Sequence, residues 1–411
     1  MDTTRGAGAG GTTMRVMVAV QHPAHVHFYR HAIDELRSAG HTVRVVARAK
    51  DVATELLASH GIDHEELARA GRTLPGLALG QLQYEARLLA RARSFRPDVL
   101  TAIGGLSVAH VGWLLDVPSV VFIDNEGVAS TRATTPFADV VCTPRGIRDD
   151  YGDGHRRYDG YHELAYLHPD RFQPDPDRLR AFGVDPDERY FVCRFVGWGA
   201  HHDVGESGLS REGTTALVES LDERGEVYIT TEGPLPDRFE RHRLPVPADL
   251  VHDLLAGADL YAGDSQTMAT EAAVLGTPAV RSNSFAAGTD MSNFVNLETR
   301  YGLLYSRGDE RAALRLVERL ADDPDTDERW AERRERLLAD TVDVTSYVVA
   351  TLCEVGGAAP PAGMEQATDG RAADGLAVDE QSDEGRPSGA TGGDDAPERP
   401  AGRADAAGGD D

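Results

Sequence analysis

The chain has 411 residues, a formal net charge of -26 and a single lysine, Lys50. Its acidic surface would repel nucleic acid and anionic membranes, which argues against binding to either of them. It contains no run of about eighteen apolar residues, so we predict no transmembrane helix and no stable insertion into a membrane. The first residues lack the apolar segment of a signal peptide.

Acidic residues outnumber basic residues by 68 to 42, and nearly all of the basic ones are arginine. We predict a halophilic protein, because high internal salt screens the repulsion among carboxylates that keep the surface hydrated. A GC-rich genome combined with an acidic tail is the alternative explanation. The cysteines, Cys142, Cys193 and Cys353, are far apart and match neither a disulfide framework nor a zinc site, which predicts a reducing, cytoplasmic location.

The N-terminal half alternates short apolar runs with amphipathic stretches. The apolar runs predict strands, and the amphipathic stretches, two of which stop at Gly40 and Gly61, predict helices. The predicted strands are residues 15–20, 42–47, 98–103, 119–123 and 138–142, and the predicted helices are residues 27–39, 51–60 and 77–95. Alternation of this kind is typical of a parallel sheet with helices on both faces.

Residues 143–189 interrupt this alternation, and their many Tyr, His, Asp, Gly and Pro residues indicate a connection between domains. The alternation then resumes. The predicted strands are residues 190–196, 226–231, 259–262 and 278–281, and the predicted helices are residues 214–224, 248–256, 267–275, 309–322, 326–340 and 344–353. The sequence therefore predicts an α/β protein with two Rossmann-like, doubly wound domains and a cleft between them.

The composition at the two ends differs from that of the middle. Residues 1–13 are small and polar, and residues 356–411 are rich in Gly, Ala, Pro, Asp and Glu. Such segments bury too little apolar surface to offset the entropy of ordering, so both are predicted to be disordered. Between them the predicted parts are an N-terminal domain (14–165), a linker (166–189), a C-terminal domain (190–325) and helices that pack back on the N-terminal domain (326–355).

Four histidines lie within residues 21–31, directly after the first predicted strand. Ligands of open α/β sheets bind beyond the carboxyl ends of the strands, so His22 and His25 are well placed to contact a ligand or to act as a general base. His27 and His31 are one helical turn apart and could instead share a metal ion. A structural role in capping or packing is the third interpretation, and we favour it for His31.

Two further loops follow predicted strands of the N-terminal half. Gly104 and Gly105 come after one strand, where glycine permits either a close approach of a ligand to the backbone or a tight turn. Asp124 and Glu126 come after the next strand and are candidates for acid–base catalysis. Ordinary turn chemistry of Asp and Asn is the alternative for this loop.

The first strand and loop of the C-terminal half would also face the cleft. Arg194 has the fork geometry that suits a phosphate, and arginine must supply any cationic clamp in a chain with one lysine. His201 is a candidate ligand contact in the loop. Together with His202 and Asp203 it could instead bind a metal ion. Adjacent histidines, however, point to different sides unless a tight turn brings them together.

Residues 262–280 carry the strongest signal and predict a strand, a polar turn, a helix and another strand. Asp264 or Ser265 can cap the helix, whose free N–H groups and positive end form an anion site that suits a diphosphate. Glu271 shares a helix face with Thr267 and could reach ribose or sugar hydroxyls. The residues predicted to bind substrate here are Asp264, Ser265, Gln266, Thr267, Met268 and Glu271. An ordinary capped helix is the alternative, and the lack of a Walker lysine and of a dinucleotide glycine fingerprint disfavours an ATPase or a dehydrogenase.

The two Rossmann-like halves and this helix resemble the GT-B glycosyltransferase superfamily. Asp264-Ser265, Glu271-Ala272 and Gly276-Thr-Pro278 are spaced as in the UDP-N-acetylglucosamine 2-epimerases. The N-terminal half is similar to the peptidoglycan N-acetylglucosaminyltransferase in its histidine-bearing first loop. It also shares with that enzyme four short motifs, which are Gly40-His41, Arg96-Pro-Asp98, Gly104-Gly105 and Val117-Pro118.

More closely, residues 14–350 resemble a family known as domain of unknown function 354. The matching stretches are His22-Pro-Ala-His-Val-His-Phe28, Arg48, Asp124-Asn-Glu126, Asp159-Gly-Tyr-His-Glu-Leu-Ala-Tyr-Leu167, Arg194-Phe195 and residues 267–280. This resemblance implies the fold, but the family has no established activity.

The chain departs from two of these patterns. Thr270 stands where the epimerases have the first of two glutamates, and Gln266-Thr267 replaces their glycine pair. Ala279 stands where retaining GT-B enzymes often carry a second glutamate. Both the epimerase and the retaining transferase are therefore disfavoured.

The resemblance implies, as the leading hypothesis, an inverting, metal-independent transfer of a sugar from a nucleotide sugar to a glycan or lipid-linked acceptor, without a cofactor. The N-terminal domain would bind the acceptor and the C-terminal domain the donor, with Arg194 beside its diphosphate. His25, or else Asp124 or Glu126, would deprotonate the acceptor hydroxyl. Two alternatives stay open: an epimerase-like enzyme or hydrolase that uses Asp124, Glu126 and Glu163, and a non-enzymatic nucleotide-sugar-binding protein.

Overall fold

The computed structural model describes residues 12–49, 51–69, 74–126, 129–195, 209–231, 234–282, 290–364 and 367. Most of residues 1–13 and 356–411, which were predicted to be disordered, lie outside these ranges, and so does His201. Residues 356–364 of the predicted tail are described, and Met364 is buried there at 8% exposure. Within the ranges, none of the helices has the length and apolar character needed to cross a membrane.

The first sheet has seven strands in the described part of the chain, and each neighbouring pair is parallel. The strands are β1 (Arg15–Val20), β2 (Thr42–Ala49), β3 (His64–Arg69), β4 (Val99–Ile103), β5 (Ser119–Phe122), β6 (Val140–Pro144) and β7 (His155–Tyr158). Their order across the sheet is β3-β2-β1-β4-β5-β6-β7. Alternate side chains of β1 point to opposite faces, so Val16, Val18 and Val20 pack in one core and Met17 and Ala19 in another.

Helices cover both faces of this sheet. They are α1 (Pro23–Ser38), α2 (Asp51–Ser59), α3 (Leu74–Phe95), α4 (Leu106–Leu115), α5 (Ala129–Thr134) and α6 (Leu164–Leu167). A short helix, α7 (Pro176–Arg180), follows in the connection to the second half. α1 and α2 contribute to the first of the two cores, and α3 and α4 contribute to the second. α1 begins earlier than predicted, because His22 caps its first turn and Pro23 is accepted at the first helical position.

The second half has the same kind of architecture, with a smaller parallel sheet. Its strands are β8 (Tyr190–Phe195), β9 (Glu226–Thr231), β10 (Leu260–Gly263), β11 (Ala279–Ser282) and β12 (Leu304–Arg307), in the order β12-β11-β10-β8-β9. Its helices are α8 (Arg211–Asp222), α9 (Val251–Ala256), α10 (Gln266–Leu275), α11 (Ser292–Asn296), α12 (Glu310–Asp322), α13 (Thr326–Ala339) and α14 (Val344–Val355). The predicted fold class, α/β with two doubly wound halves, is confirmed.

Three strands that the sequence did not predict lie at the edges of the sheets. β3 and β7 are the two edges of the first sheet, and β12 is an edge of the second. β7 falls inside residues 143–189, which were predicted to connect the domains. The sequences of the three strands, HEELAR, HRRY and LYSR, are interrupted by charged residues. Charged side chains are common on edge strands because they discourage pairing with other chains, and they obscure the apolar run that marks a central strand.

The last two helices pack on different halves of the molecule. α13 packs against α10, whereas α14 packs against α1, α6 and β4. Two hydrogen bonds of 2.8 and 2.9 Å join Arg156 to Glu354, and Thr345 Oγ1 donates to the carbonyl oxygen of Ala165 at 2.6 Å. The chain therefore crosses back from the second half to the first at its last helix.

Candidate functional site

A cavity of about 180 Å³ lies where the two halves meet, at the carboxyl end of the first sheet. Its walls come from the loops after β1, β4 and β5, from the segment that leads into α6, and from the first turn of α10. The lining residues are His22, Ala24, His25, Phe28, Ile103, Asp124, His162, Glu163, Tyr166 and Thr267. The structure thus brings together four of the predicted site residues, His22, His25, Asp124 and Thr267.

The two loop histidines are held by the start of α1. His22 is the N-cap, and its Nδ1 accepts a hydrogen bond from the backbone N–H of Ala24 at 3.2 Å. His25 Nδ1 accepts from the backbone N–H of Gln21 at 3.4 Å. The centres of the two imidazole rings are 5.9 Å apart. His22 therefore has a capping role as well as a place in the cavity wall, and the predicted ligand contacts of both residues stay predictions.

Asp124 lies in the loop after β5, beside a second histidine. Its Oδ2 is 3.3 Å from Nδ1 of His162, which is an ion-pair distance. Burial of the carboxyl would raise the pKa of Asp124, but the neighbouring His162 and His25 outweigh it and lower the pKa to about 2. Asp124 is therefore ionised at neutral pH, which suits a group that orients a nearby imidazole.

His162 was not among the predicted site residues. It is 5% exposed and packs against the ring of Phe28, with a centroid distance of 4.7 Å, and parallel to that of Tyr158. Its Nε2 has no hydrogen-bond partner among the described residues, and its Nδ1 has the ion-pair contact with Asp124. A buried imidazole nitrogen without a partner is unusual in a folded protein, and this ring borders a cavity that a ligand could enter. The sequence signal was its place in the 159–167 motif, which carried the family resemblance.

Glu163 follows directly and also lines the cavity. It is 9% exposed. Burial, together with the negative charges of Asp124 and Glu271, raises the pKa of Glu163 to about 8. The cavity thus contains two carboxyl groups of opposite character, since Asp124 is ionised at neutral pH and Glu163 is mostly protonated. Divergent pKa values of this kind are a common feature of sites that perform acid–base chemistry.

Glu126 points to other partners. Its Oε1 accepts from the N–H of Arg148 at 2.6 Å and from Oγ of Ser292 at 2.5 Å, and its Oε2 accepts from the N–H of Ser292 at 2.8 Å. Burial would raise the pKa of Glu126, but these hydrogen bonds lower it. The carboxylate therefore ties the loop after β5 to the start of α11 in the second half. A catalytic role for Glu126 stays a prediction that these contacts do not favour.

Gly104 and Gly105 turn the chain between β4 and α4. Their φ angles are +70° and +45°, and a Cβ on Gly105 would lie 2.5 Å from Cγ2 of Val121. Only glycine fits this turn without strain or collision. The tight-turn interpretation explains both residues, and contact with a ligand stays a prediction.

The turn before α10 is fixed by backbone contacts to the neighbouring strand. The N–H of Asp264 donates to the carbonyl oxygen of Arg194 at 3.1 Å, and Ser265 caps the helix by accepting from the N–H of Met268 at 3.4 Å. Arg194 itself extends along the sheet, where its NH1 donates to Oγ1 of Thr230 at 2.9 Å. This arrangement matches the predicted capped helix, with Thr267 of its first turn in the cavity wall.

Glu271 lies deeper in α10, in a buried polar network between the halves. It is 5% exposed; its Oε1 accepts from the hydroxyl of Tyr166 at 2.8 Å and lies 3.0 Å from Nε2 of His252. The His27 ring stacks on Tyr166 at 5.2 Å, and burial lowers the pKa of His27 to about 2. The predicted contact of Glu271 with sugar hydroxyls stays a prediction, since its Oε1 is already engaged.

The other two histidines of residues 21–31, His27 and His31, lie within α1. Arg30 Nε donates to Nε2 of His31 at 3.1 Å, which agrees with the structural role favoured for His31. Nowhere in the described ranges do three or more His, Cys, Asp or Glu side chains converge in a way that could hold a metal ion. The alternative site at His201, His202 and Asp203 falls outside those ranges.

A second cavity, of about 340 Å³, lies at the carboxyl ends of β10 and β11. Gly263 and Ser282 form its floor beside the first turns of α8 and α12. The first turns are joined by Ser210, whose Oγ donates to Oε2 of Glu310 at 2.8 Å. Most of the other lining residues are apolar, and they include Ala216, Leu217, Leu314 and Val317. Such a cavity suits a flat, partly apolar group.

Comparison with known proteins places the chain in a family. The family model described as "Protein of unknown function (DUF354)" matches residues 14–291. The chain belongs to this family. An uncharacterised protein of Methanocaldococcus jannaschii, MJ0665, is 21% identical over 279 residues, which cover 64% of this chain and 80% of that protein.

Solved structures with the same fold include two whose names describe sugar enzymes. A protein of Listeria monocytogenes named "putative UDP-N-acetylglucosamine 2-epimerase" superposes with a TM-score of 0.62 at 13% identity, covering 85% of this chain and 98% of the other. The spinosyn forosaminyltransferase SpnP gives a TM-score of 0.57 at 17% identity over 84% and 100% of the two chains. MnaA of S. aureus, solved with UDP, gives 0.58 at 12% identity over 83% and 96%. At these identities the likeness establishes the GT-B-type fold.

Proposed function

We propose that this protein is a metal-independent glycosyltransferase that moves a sugar from a nucleotide sugar to a hydroxyl group of a glycan or lipid-linked acceptor, and that it uses no cofactor. The observation that carries the proposal is the cavity that His25 and Asp124 share with Thr267 of α10. This cavity combines an imidazole and an ionised carboxylate from the first half with a helix N-terminus from the second.

His25 is the proposed base. A neutral hydroxyl is a poor nucleophile, so the acceptor must lose its proton as it attacks the sugar. Asp124 is ionised at neutral pH, and the charge of His25 is one cause of its low pKa. The carboxylate would in turn stabilise the imidazolium that forms when His25 takes up the proton. His162 would hold Asp124 from its other side.

The donor would bind mainly to the second half. Its diphosphate would lie at the N-terminus of α10, because the free N–H groups and the helix dipole favour an anion there. Arg194 would add positive charge near the diphosphate. It lies beside the turn that leads into α10, because it pairs with Gly263, which comes just before that turn in the neighbouring strand. The nucleobase would occupy the second cavity, beyond the ends of β10 and β11.

Turnover of nucleotide sugars tests the proposal. The protein is incubated with UDP-, GDP- and TDP-sugars, with and without panels of glycan and lipid-linked acceptors, and release of the nucleoside diphosphate is measured. We expect release that requires an acceptor, withstands EDTA and falls about 100-fold or more in His25→Ala. His110→Ala, which removes a histidine outside the cavity, is the matched control and should keep full turnover. Full turnover by His25→Ala would exclude His25 as the base.

A second candidate is a nucleotide-sugar epimerase. The observation that favours it is the pair of carboxyl groups, Asp124 and Glu163, in one cavity. Inversion of a sugar carbon needs one group that removes a proton and another that returns one. The same incubation separates the two candidates, because epimerisation converts the nucleotide sugar to its isomer without any acceptor.

A further inference from the structure

The segment from Asp159 to Leu167 belongs to the family motif, and the proposed transfer reaction does not yet use its carboxyl group, Glu163. It crosses from the first half to the second and contacts both. His162 lies 3.3 Å from Asp124 in the first half, and the hydroxyl of Tyr166 donates to Glu271 of α10 at 2.8 Å. Glu163 lies between these two contacts along the chain, and it lines the cavity that both halves form.

The surroundings of Glu163 combine acidic groups, histidines and apolar side chains. The charged groups that act on it are Asp124, from the loop after β5, and Glu271, from α10. His25 and His162 border the same cavity. No arginine or histidine in the described part of the chain forms an ion pair with Glu163, although the residue is 9% exposed. A buried carboxylate without a cation is strongly disfavoured, so this geometry favours the neutral acid.

The neutral form changes what the side chain can do. A protonated carboxyl has an O–H group to donate, whereas a carboxylate can only accept. Asp124 and His25 line the same cavity, so a ligand that enters it would lie beside the Glu163 carboxyl and could accept this hydrogen bond. Thr267 of the first turn of α10 lies in the same cavity, and the donor diphosphate is proposed to bind at that turn.

We propose that Glu163 is a further catalytic residue of the transfer reaction, and that it donates a hydrogen bond from its protonated carboxyl to the oxygen that leaves with the donor diphosphate. This proposal rests on the proposed function. The acceptor oxygen forms its bond to the anomeric carbon while its proton passes to His25. The bond from that carbon to the diphosphate oxygen breaks, and the electron pair stays on the oxygen. Glu163 keeps its proton and stabilises the developing charge through the hydrogen bond.

Two substitutions separate donation by Glu163 from the chemistry of a carboxylate. Glu163→Ala removes the donor, and we expect kcat to fall about 100-fold, as for the loss of one preorganised donor, while nucleoside diphosphate still binds. Glu163→Gln keeps an N–H donor of similar shape and should stay within about 10-fold of the wild type. The wild type should lose activity as the pH rises through about 8, where the carboxyl ionises, and Glu163→Gln should not. Glu85→Gln, the same change outside the cavity, is the control.

The pH dependence of the melting temperature tests the protonation state without any substrate. The pKa of Glu163 in the fold, about 8, is higher than its usual value of 4.5, so the folded protein binds this proton more tightly than the unfolded chain does. The stability from Glu163 is thus present below about pH 4.5 and is lost as the pH rises through 8. Glu163→Gln does not titrate and serves as the reference. The melting temperature of the wild type minus that of Glu163→Gln should therefore decrease as the pH rises from about 4.5 through 8.

The outcomes are distinguishable. If the wild type turns over no nucleotide sugar, the proposed function fails and the catalytic role of Glu163 fails with it. If turnover is present but Glu163→Ala matches the wild type, only the role of Glu163 fails. A melting-temperature difference that is constant between pH 5 and 9, or a Glu163→Gln variant as inactive as Glu163→Ala, would likewise overturn donation by the neutral acid.

Discussion

The two halves of the molecule meet at two polar clusters that differ in how their groups are paired. In the interior cluster, Glu271 is engaged by Tyr166 and His252, and the ring of His27 packs against both of their rings. In the cavity cluster, Asp124 has His162 at ion-pair distance, whereas Glu163 makes no ion pair with a described residue. Tyr166 also lines this cavity and His252 borders another, of about 530 Å³, so the two clusters differ in how their carboxyl groups are paired and not in access to open volume.

The difference in pairing indicates that the two clusters have different roles. Buried polar groups that satisfy one another specify how two elements dock, and removing one partner is costly because the other is left unpaired. Buried polar groups that lack such partners and face a cavity can still bind a ligand, but they lower the stability of the empty protein. We therefore expect substitutions in the interior cluster to change stability and substitutions in the cavity cluster to change activity.

The largest expected effect is on catalysis. Asp124→Asn keeps the size of the side chain but removes the charge that would stabilise a protonated His25, so turnover should fall about 100- to 10,000-fold. The melting temperature should fall as well, because the low pKa of Asp124 means that its ionised form stabilises the fold, but the loss of turnover should be the dominant effect. Asp116→Asn is a suitable control, because Asp116 lies outside the cavity in a left-handed conformation that asparagine tolerates. Full activity in Asp124→Asn would contradict the expectation that the cavity cluster serves catalysis while the interior cluster serves stability.

The next effect is on stability. Glu271→Ala leaves the Tyr166 hydroxyl and the His252 imidazole buried without their acceptor, which should lower the free energy of unfolding by about 1–3 kcal/mol. Chemical denaturation measures this change, and Tyr166→Phe should lower the free energy less because it removes a single donor. If Glu271→Ala instead keeps its stability and loses donor affinity, Glu271 binds the sugar as the sequence predicted, and the interior cluster is part of the site.

A smaller effect is expected where Glu126 joins the halves. Ser292→Ala removes the hydroxyl that donates to Glu126 but leaves the two backbone donors in place. The free energy of unfolding should fall by about 1–2 kcal/mol, as for a hydrogen bond to a charged group, with turnover nearly unchanged. A loss of turnover that exceeds the loss of stability would indicate that Glu126 also acts on the substrate.

The smallest effect concerns acid stability. Burial lowers the pKa of His27 to about 2 and that of His31 to about 4, so both take up protons on unfolding once the pH falls below about 6.5. The stability that depends on the neutral rings is present above pH 6.5 and is lost as the pH falls towards 4. His31→Gln should flatten this part of a plot of unfolding free energy against pH. An unchanged slope would mean that His31 does not carry the effect.

Much of the fold could be predicted because its signals are local. Valine-rich runs gave the central strands, and helix starts and stops followed from caps and glycines such as Ser265 and Gly276. His25 and Asp124 follow the carboxyl ends of β1 and β5, where the rule for parallel sheets predicts ligand contacts, and both line the cavity; their roles stay predictions. The charged edge strands β3, β7 and β12 were not predicted, because their pairing depends on a neighbouring strand that the sequence pattern does not reveal.

The role of the 159–167 segment could not be predicted in the same way. It has no helical or strand periodicity, so nothing local indicates that His162 is buried beside Asp124 or that Tyr166 reaches Glu271. The same holds for Glu126, whose partner Ser292 is far away in the chain. Such contacts arise only when the two halves dock, and the acid–base character of Glu163 is a consequence of that docking.

Hydrogen–deuterium exchange with and without a nucleotide sugar tests the location of the site most directly. UDP-, GDP- or TDP-sugar, whichever raises the melting temperature, should slow exchange at the backbone amides of residues 21–25 and 123–126 in the first half. The same ligand should slow exchange at residues 263–268 in the second half, because the cavity is lined from both sides. Protection confined to another surface, or to neither half, would contradict the assignment of this cavity as the nucleotide-sugar site.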